Sequence, residues 1–165
     1  MIRNMSIRSC AAAMFAAAAV YAGEAAAQTP AQGAAAAPQA LTYEMAVQVI
    51  DAAEAEARNN KWNVTIVVTD AAGVPLVVRR LTGASPRSYD IATRKAATVV
   101  ATKLTTAEYG TRLKAGSVKE VPNGIAFAGG VPIMRGTEFI GAVGTSGVQA
   151  GQDEQISKAG ASVIK

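Results

Sequence analysis

The 165-residue chain contains no histidine, and this absence excludes several kinds of functional site. Without histidine there is no Ser-His-Asp or Cys-His pair, no histidine-based zinc site and no imidazole ligand to a haem iron. The sequence also lacks a P-loop and a dinucleotide-binding fingerprint. Gly141, Gly144 and Gly147 do not have the spacing of a dinucleotide loop, so they predict close backbone packing or a turn.

Cysteine and charge are also scarce. The one cysteine, Cys10, precedes the segment that is expected to fold, so the mature protein is expected to form no disulfide of its own. The formal net charge of the whole chain is only +4, and the sequence has no basic run. Nucleic acid is therefore not an expected partner, and stability must come from packing.

The N-terminal residues have the pattern of a signal peptide. Arg3 and Arg8 precede an apolar stretch at residues 11–22, and small residues follow up to Ala27. We expect cleavage after Ala27, with cleavage after Ala22 as the alternative. The apolar stretch is shorter than the roughly 20 residues that span a bilayer, so no membrane anchor is expected after cleavage. We therefore expect the protein to be exported to the periplasm or the cell exterior.

The composition divides the chain into three segments. Residues 1–27 are the predicted signal peptide, and residues 28–40 are an Ala/Pro-rich leader without charged or aromatic residues, which predicts a flexible segment. Residues 41–165 carry regular hydrophobic patterns and predict one domain.

Two hairpins and four helices are predicted in this domain. The expected helices span about 42–60, 89–102, 106–113 and 151–164, and the expected strands span about 64–68, 74–81, 131–134 and 138–143. Because the strands come in hairpins, they favour an antiparallel sheet with helices packed against it. The predicted fold class is α+β, in the order α-β-β-α-α-β-β-α.

Four segments of this domain together resemble the GlcG/HbpS family, whose best-described members are secreted haem-binding proteins. These segments are Gly83–Ala96, Ala128–Ile133, Ile140–Gly144 and Gln152–Gln155. The resemblance covers residues 41–165 and implies a profilin-like fold, a central antiparallel sheet flanked by helices. It also implies haem as the cofactor and assembly into a homo-oligomer.

If haem is the cofactor, five residues are candidates for contacting it. Thr106 matches a threonine placed at the iron in the haem-binding branch, and Arg94 and Lys95 are candidates for contacts with the propionates. Tyr89 and Tyr109 are candidates for stacking on the porphyrin. Other interpretations stay open: Thr106 caps a short helix, the two cations are simply exposed to solvent, and the tyrosines belong to the core.

Asp51 and Glu54 resemble an acidic D-x-x-E pair that is associated with iron binding in the same branch. Residues three apart lie on one helix face, so both carboxylates are able to present oxygen to a hard cation. The alternative is an ordinary ion pair between Glu54 and Arg58, one turn later.

The expected function is therefore that of a secreted haem-binding or iron-binding accessory or sensor protein, with no protein partner identified. The alternative is a small-molecule-binding accessory protein, or an enzyme of a catabolic pathway that uses no haem. Such an enzyme needs an acid or base other than histidine, for which Lys95, Glu120 and Tyr109 are the candidates.

Overall fold

A computed structural model describes residues 40–165, which form four helices and four strands in the predicted order. The predicted signal peptide and the leader up to residue 39 lie outside the described residues. No helix within 40–165 is long and apolar enough to cross a membrane. The elements are α1 (Tyr43–Asn59), β1 (Thr65–Asp70), β2 (Pro75–Arg80), α2 (Arg87–Thr102), α3 (Thr106–Lys114), β3 (Gly130–Arg135), β4 (Glu138–Ser146) and α4 (Ala150–Ala161).

The strands form one antiparallel sheet in the order β2-β1-β4-β3, which confirms the α+β prediction. The two hairpins meet through β1 and β4, so these strands lie at the centre of the sheet and β2 and β3 lie at its edges. Both edge strands contain a proline, Pro75 and Pro132. Proline lacks a backbone N–H and is therefore tolerated at a sheet edge but not in a central strand.

One face of the sheet packs against α1 and α4. Thr42 caps α1, because its hydroxyl accepts a hydrogen bond from the backbone N–H of Met45. An apolar stripe of α1 is fully buried against this face, with alanine and aliphatic residues at Ala46, Val49, Ile50, Ala53 and Ala57. This layer contains most of the hydrophobic core.

The other face packs against α2 at very short range. A Cβ atom added to Gly144 of β4 would lie 2.2 Å from the backbone oxygen of Ala92 on α2. This contact confirms the prediction of close backbone packing at that glycine. The core on this face is small and consists of Val67, Ala92, Ala96, Val99 and Ala142. Helix α3 follows α2, and a long segment, residues 115–129, connects α3 to β3.

Candidate functional site

Residues 115–129 form a loop without helix or strand, which we call the anchored loop. Four side chains of α2 and α3 bind the backbone of this loop or the first residue of β3. Tyr109 Oη accepts from the Val121 N–H at 2.8 Å, and Arg94 Nε donates to the Asn123 oxygen at 2.9 Å. The Thr98 hydroxyl accepts a hydrogen bond from the Ile125 N–H, and the Thr106 hydroxyl accepts one from the Gly130 N–H. Loops of this length are uncommon in compact domains, and they are frequently functional.

Thr106 is completely buried, and its hydroxyl accepts a hydrogen bond from the Gly130 N–H at 2.9 Å. The alternative in which Thr106 caps α3 is wrong by one residue, because Thr105 is the cap and accepts from the Glu108 N–H. Tyr109 is also buried. Three of the five predicted haem-contacting residues, Arg94, Thr106 and Tyr109, therefore hold the anchored loop and the start of β3. Their direct contact with haem stays a prediction.

A groove of about 490 Å³ lies between the C-terminal end of α2, α3 and the anchored loop. Its volume is within the range of small-molecule and cofactor sites, about 300–1,000 Å³. The hydrogen bond from Val121 to Tyr109 fixes one of its walls. The lining residues are mostly apolar, with charged groups among them: Ala101, Thr102, Leu104, Arg112, Val118, Lys119, Glu120, Val121 and Pro122.

The charged residues of the groove include two cations. Arg112 pairs with Glu108 on its own helix at 2.5 Å, and both side chains are about half exposed. An exposed pair of this kind is held by less than about 1 kcal/mol, so the guanidinium is readily available to another anion. Lys119 is exposed on the loop, and Glu120 is the acidic residue of the lining.

Lys95 lies in the interior, so the alternative in which it is simply exposed to solvent is wrong. Its Nζ donates to Asp153 Oδ2 of α4 and to the Thr145 backbone oxygen, each at 2.8 Å. The side chains of Lys95 and Asp153 are 0% and 3% exposed. Burial lowers the pKa of Lys95 and raises the pKa of Asp153, and in both cases the ion pair opposes the effect of burial.

Two glycines make the space through which Lys95 reaches α4. A Cβ atom on Gly129 would lie 2.3 Å from Lys95 Nζ, and a Cβ atom on Gly130 would lie 2.9 Å from the Lys95 backbone oxygen. Gly129 also has φ +128°, which L side chains rarely adopt. Lys95 therefore connects α2 to α4 past the beginning of β3.

Tyr89, the remaining aromatic candidate, lies at the surface of α2 and is about half exposed, so the core interpretation does not hold for it. Phe127 on the anchored loop is also about half exposed. The ring centre of Phe127 is 5.0 Å from Lys95 Nζ, within the range of a cation–π contact. Phe127 therefore covers the buried ion pair on the side of the loop.

Asp51 and Glu54 lie on α1, where both bind Arg79 of β2. Glu54 also pairs with Arg58, which confirms the predicted ion pair along the helix. No group of three or more His, Cys, Asp or Glu side chains able to hold a metal ion occurs within residues 40–165. The role of the acidic pair in iron binding stays a prediction.

Neither the groove nor the partner of Lys95 was predicted from the sequence. One signal for the groove was available, because Val118, Val121 and Pro122 stand close together in a segment predicted to have no regular structure. Lys95 also carried a signal, since it falls four residues after Ile91 and four before Val99 on the apolar stripe of α2. A lysine in such a stripe indicates a buried counter-ion.

Comparison with known proteins gives a family match over residues 41–162, to a model described as haem degrading protein HbpS-like. The protein GlcG of Escherichia coli strain K12 is 35% identical over 108 residues, which cover 64% of this chain and 81% of GlcG.

Solved structures of this family are similar over most of their length. The crystal structure of HbpS is 34% identical with a TM-score of 0.72, and the match covers 83% of this chain and 99% of that chain. A double mutant of HbpS from Streptomyces reticuli is 36% identical with the same TM-score, over 86% of this chain and 99% of that chain. A PduOC:haem complex is 28% identical with a TM-score of 0.65, over 76% and 96%.

Proposed function

The chain belongs to the HbpS-like family, and we propose that it is an exported haem-binding protein whose haem site is the groove beside the anchored loop. The family description and the PduOC:haem complex support haem as the ligand. The signal-peptide pattern around Arg3, Arg8 and Ala27 supports export to the periplasm or the cell exterior. We propose an accessory or sensor role, in agreement with the family resemblance.

The observation that carries this proposal is the combination of apolar lining and cations in the groove. A porphyrin needs apolar contacts on its faces and positive partners for its two propionates. The apolar contacts come from Leu104, Val118 and Val121. The positive partners are Arg112 and Lys119. The groove therefore fits the chemistry of haem.

The chain has no imidazole, so histidine would not hold the iron. Glu120 is the carboxylate of the groove and would be its candidate oxygen donor. Haem, when bound, supplies redox chemistry at its iron. The apolar residues of the groove would bind the ring and limit the access of water, and Arg112 and Lys119 would pair with the propionates.

We predict that the mature protein binds haemin and that Val118→Asp weakens binding at least tenfold. The substitution places a carboxylate against the apolar ring, and burying an unpaired charge is unfavourable. Arg112→Gln combined with Lys119→Gln should weaken binding several-fold with little spectral change, because propionates are remote from the iron. A haemin titration followed at the Soret band for one hour measures affinity and detects degradation.

Lys158→Gln provides the matched control, since it removes one exposed positive charge on α4, away from the lining residues. Arg94→Gln and Thr106→Ala test whether haem binds at the residues predicted from the sequence and not in the groove. If Thr106→Ala changes the iron spectrum while the groove variants bind as the parent does, the groove is not the haem site. If the parent shows no Soret shift, the haem proposal itself is wrong.

We also propose that the domain self-associates, in agreement with the family resemblance. Within residues 40–165 the edge strand β2 pairs only with β1. The exposed fractions of Val74, just before β2, and of Val78, within β2, are 57% and 43%. Unpaired strand edges and exposed apolar residues favour association. Light scattering should therefore give an oligomer for the parent and a smaller species for Val78→Lys. A parent that is monomeric at micromolar concentration would contradict this proposal.

A further inference from the structure

Two carboxylates of α1 meet at a single nitrogen atom of β2. Arg79 Nη1 is 2.7 Å from Asp51 Oδ1 and 2.5 Å from Glu54 Oε2. The two acidic residues are three positions apart, so their side chains lie on the same side of the helix. The point at which one cation would touch both carboxylates is therefore occupied by a guanidinium nitrogen.

The charge of this cluster is already balanced. Arg58 binds the second oxygen of Glu54 from the next turn of α1, so two carboxylates face two guanidinium groups. The Glu54 side chain is only 15% exposed. Its partial burial favours the neutral form, but hydrogen bonds to Arg58 and Arg79 outweigh burial and lower the pKa of Glu54. The carboxylate is therefore ionised and fully partnered at neutral pH.

The pair does not fit a resident metal ion. Hard cations take about six or more oxygen ligands, so two carboxylates alone would hold one only weakly, with water in the remaining positions. Residues 40–165 contain no group of three or more acidic, histidine or cysteine side chains that could hold a metal ion more firmly. An approaching divalent cation would also be repelled by two arginine charges at short distance. The donor set therefore disagrees with iron binding of the kind that the family resemblance implies.

We propose that Arg79 is the permanent counter-ion of Asp51 and Glu54, that it excludes an external cation, and that the cluster instead fastens the edge strand β2 to α1. This proposal goes beyond the haem site and does not depend on it. Asp51 and Glu54 are on α1, whereas the groove lies between α2, α3 and the anchored loop. Removing the arginine charge should then expose a weak site for a hard cation.

The test uses Mn²⁺ and the electron paramagnetic resonance signal of the free ion, which decreases on binding. The purified wild-type chain should leave this signal unchanged at concentrations at which Arg79→Gln binds about one ion, with at least a tenfold gain in affinity. Arg79→Gln combined with Asp51→Asn should lose that gain. Lys158→Gln, which removes the cation of the exposed pair with Glu154 on α4, is the control and should show no gain.

A second variant keeps the test valid if circular dichroism shows that Arg79→Gln does not fold. Asp51→Asn in the otherwise unchanged chain should have the same Mn²⁺ binding as the parent, because no ion uses that carboxylate. Stoichiometric binding by the parent that Asp51→Asn abolishes would overturn the proposal. A folded Arg79→Gln variant that binds no Mn²⁺ would also overturn it, since the arginine would then not be what excludes the cation.

Discussion

Replacing Lys95 by methionine is expected to lower the free energy of unfolding by about 3–5 kcal/mol, because the buried carboxylate of Asp153 then has no counter-charge. Methionine keeps a similar length and apolar body, so packing changes little. The variant also loses the hydrogen bond to the Thr145 oxygen at the end of β4. Chemical denaturation at neutral pH, followed by circular dichroism, measures the difference from the parent.

The origin of this loss can be tested by pH. Burial raises the pKa of Asp153, and in the variant the opposing charge of Lys95 is absent. An acid with a raised folded-state pKa destabilises the fold fully above that pKa and not at all below its unfolded value, about 3.9. The difference between Lys95→Met and the parent should therefore shrink as the pH is lowered from 7 toward 4.5.

Two further variants separate the lost charge pair from a general effect of substitution. Lys158→Met breaks the exposed pair with Glu154 on α4 and should change stability by less than about 0.5 kcal/mol. Lys95→Met combined with Asp153→Asn should recover part of the loss, because the asparagine oxygen still accepts from the Val148 N–H without a buried charge. A loss below about 1 kcal/mol for Lys95→Met alone would contradict the buried pair.

The helices and strands were predictable where local patterns and burial agree. Helix α1 has an apolar residue at every buried position of its stripe, and Thr42 supplies a cap at its start. Strand β1 is almost entirely β-branched, and it is buried on both faces between the two helix layers. Such elements need no information from distant residues.

The ends of the elements were less predictable, because long-range pairing decides them. Strand β4 was expected to end at Val143 but continues to Ser146. Gly144 and Ser146 have low strand propensity, yet they pair with β1 on one side, where Gly144 faces Val67 and Ser146 faces Thr65. Helix α4 ends at Ala161, earlier than the predicted 164, and Ser162 forms its cap.

The candidate site was only partly predictable, since its geometry depends on contacts between distant segments. Arg94, Thr106 and Tyr109 were selected from the sequence as candidate haem contacts, and these residues do converge on one region. Their hydrogen bonds to the loop and to the first residue of β3 join residues between 12 and 29 positions apart, and no periodic pattern signals such pairs. The partner of Lys95 is 58 positions away on α4.

Gly144→Ala is expected to lower the free energy of unfolding by about 3 kcal/mol, the upper end of what overpacking usually costs. The new Cβ atom would lie 2.2 Å from the Ala92 oxygen and 2.8 Å from the Ala96 nitrogen, both backbone atoms of α2. Neither atom moves unless the whole helix moves away from the sheet. Because Gly144 is in a central strand, β4 is held by partners on both sides and does not yield either.

The displacement of α2 should also loosen the anchored loop that lines the groove. This effect distinguishes a local clash from a general loss of stability. Arg94 and Thr98 on α2 hold the loop at Asn123 and Ile125, so a shifted helix weakens both anchors. Hydrogen exchange at the Ile125 amide, which donates to Thr98, should accelerate more than exchange in α1. Gly151→Ala is the control, because a Cβ atom there meets nothing within 4 Å and alanine is the better helix former. If Gly144→Ala is as stable as Gly151→Ala, α2 does not depend on this glycine for its approach to the sheet.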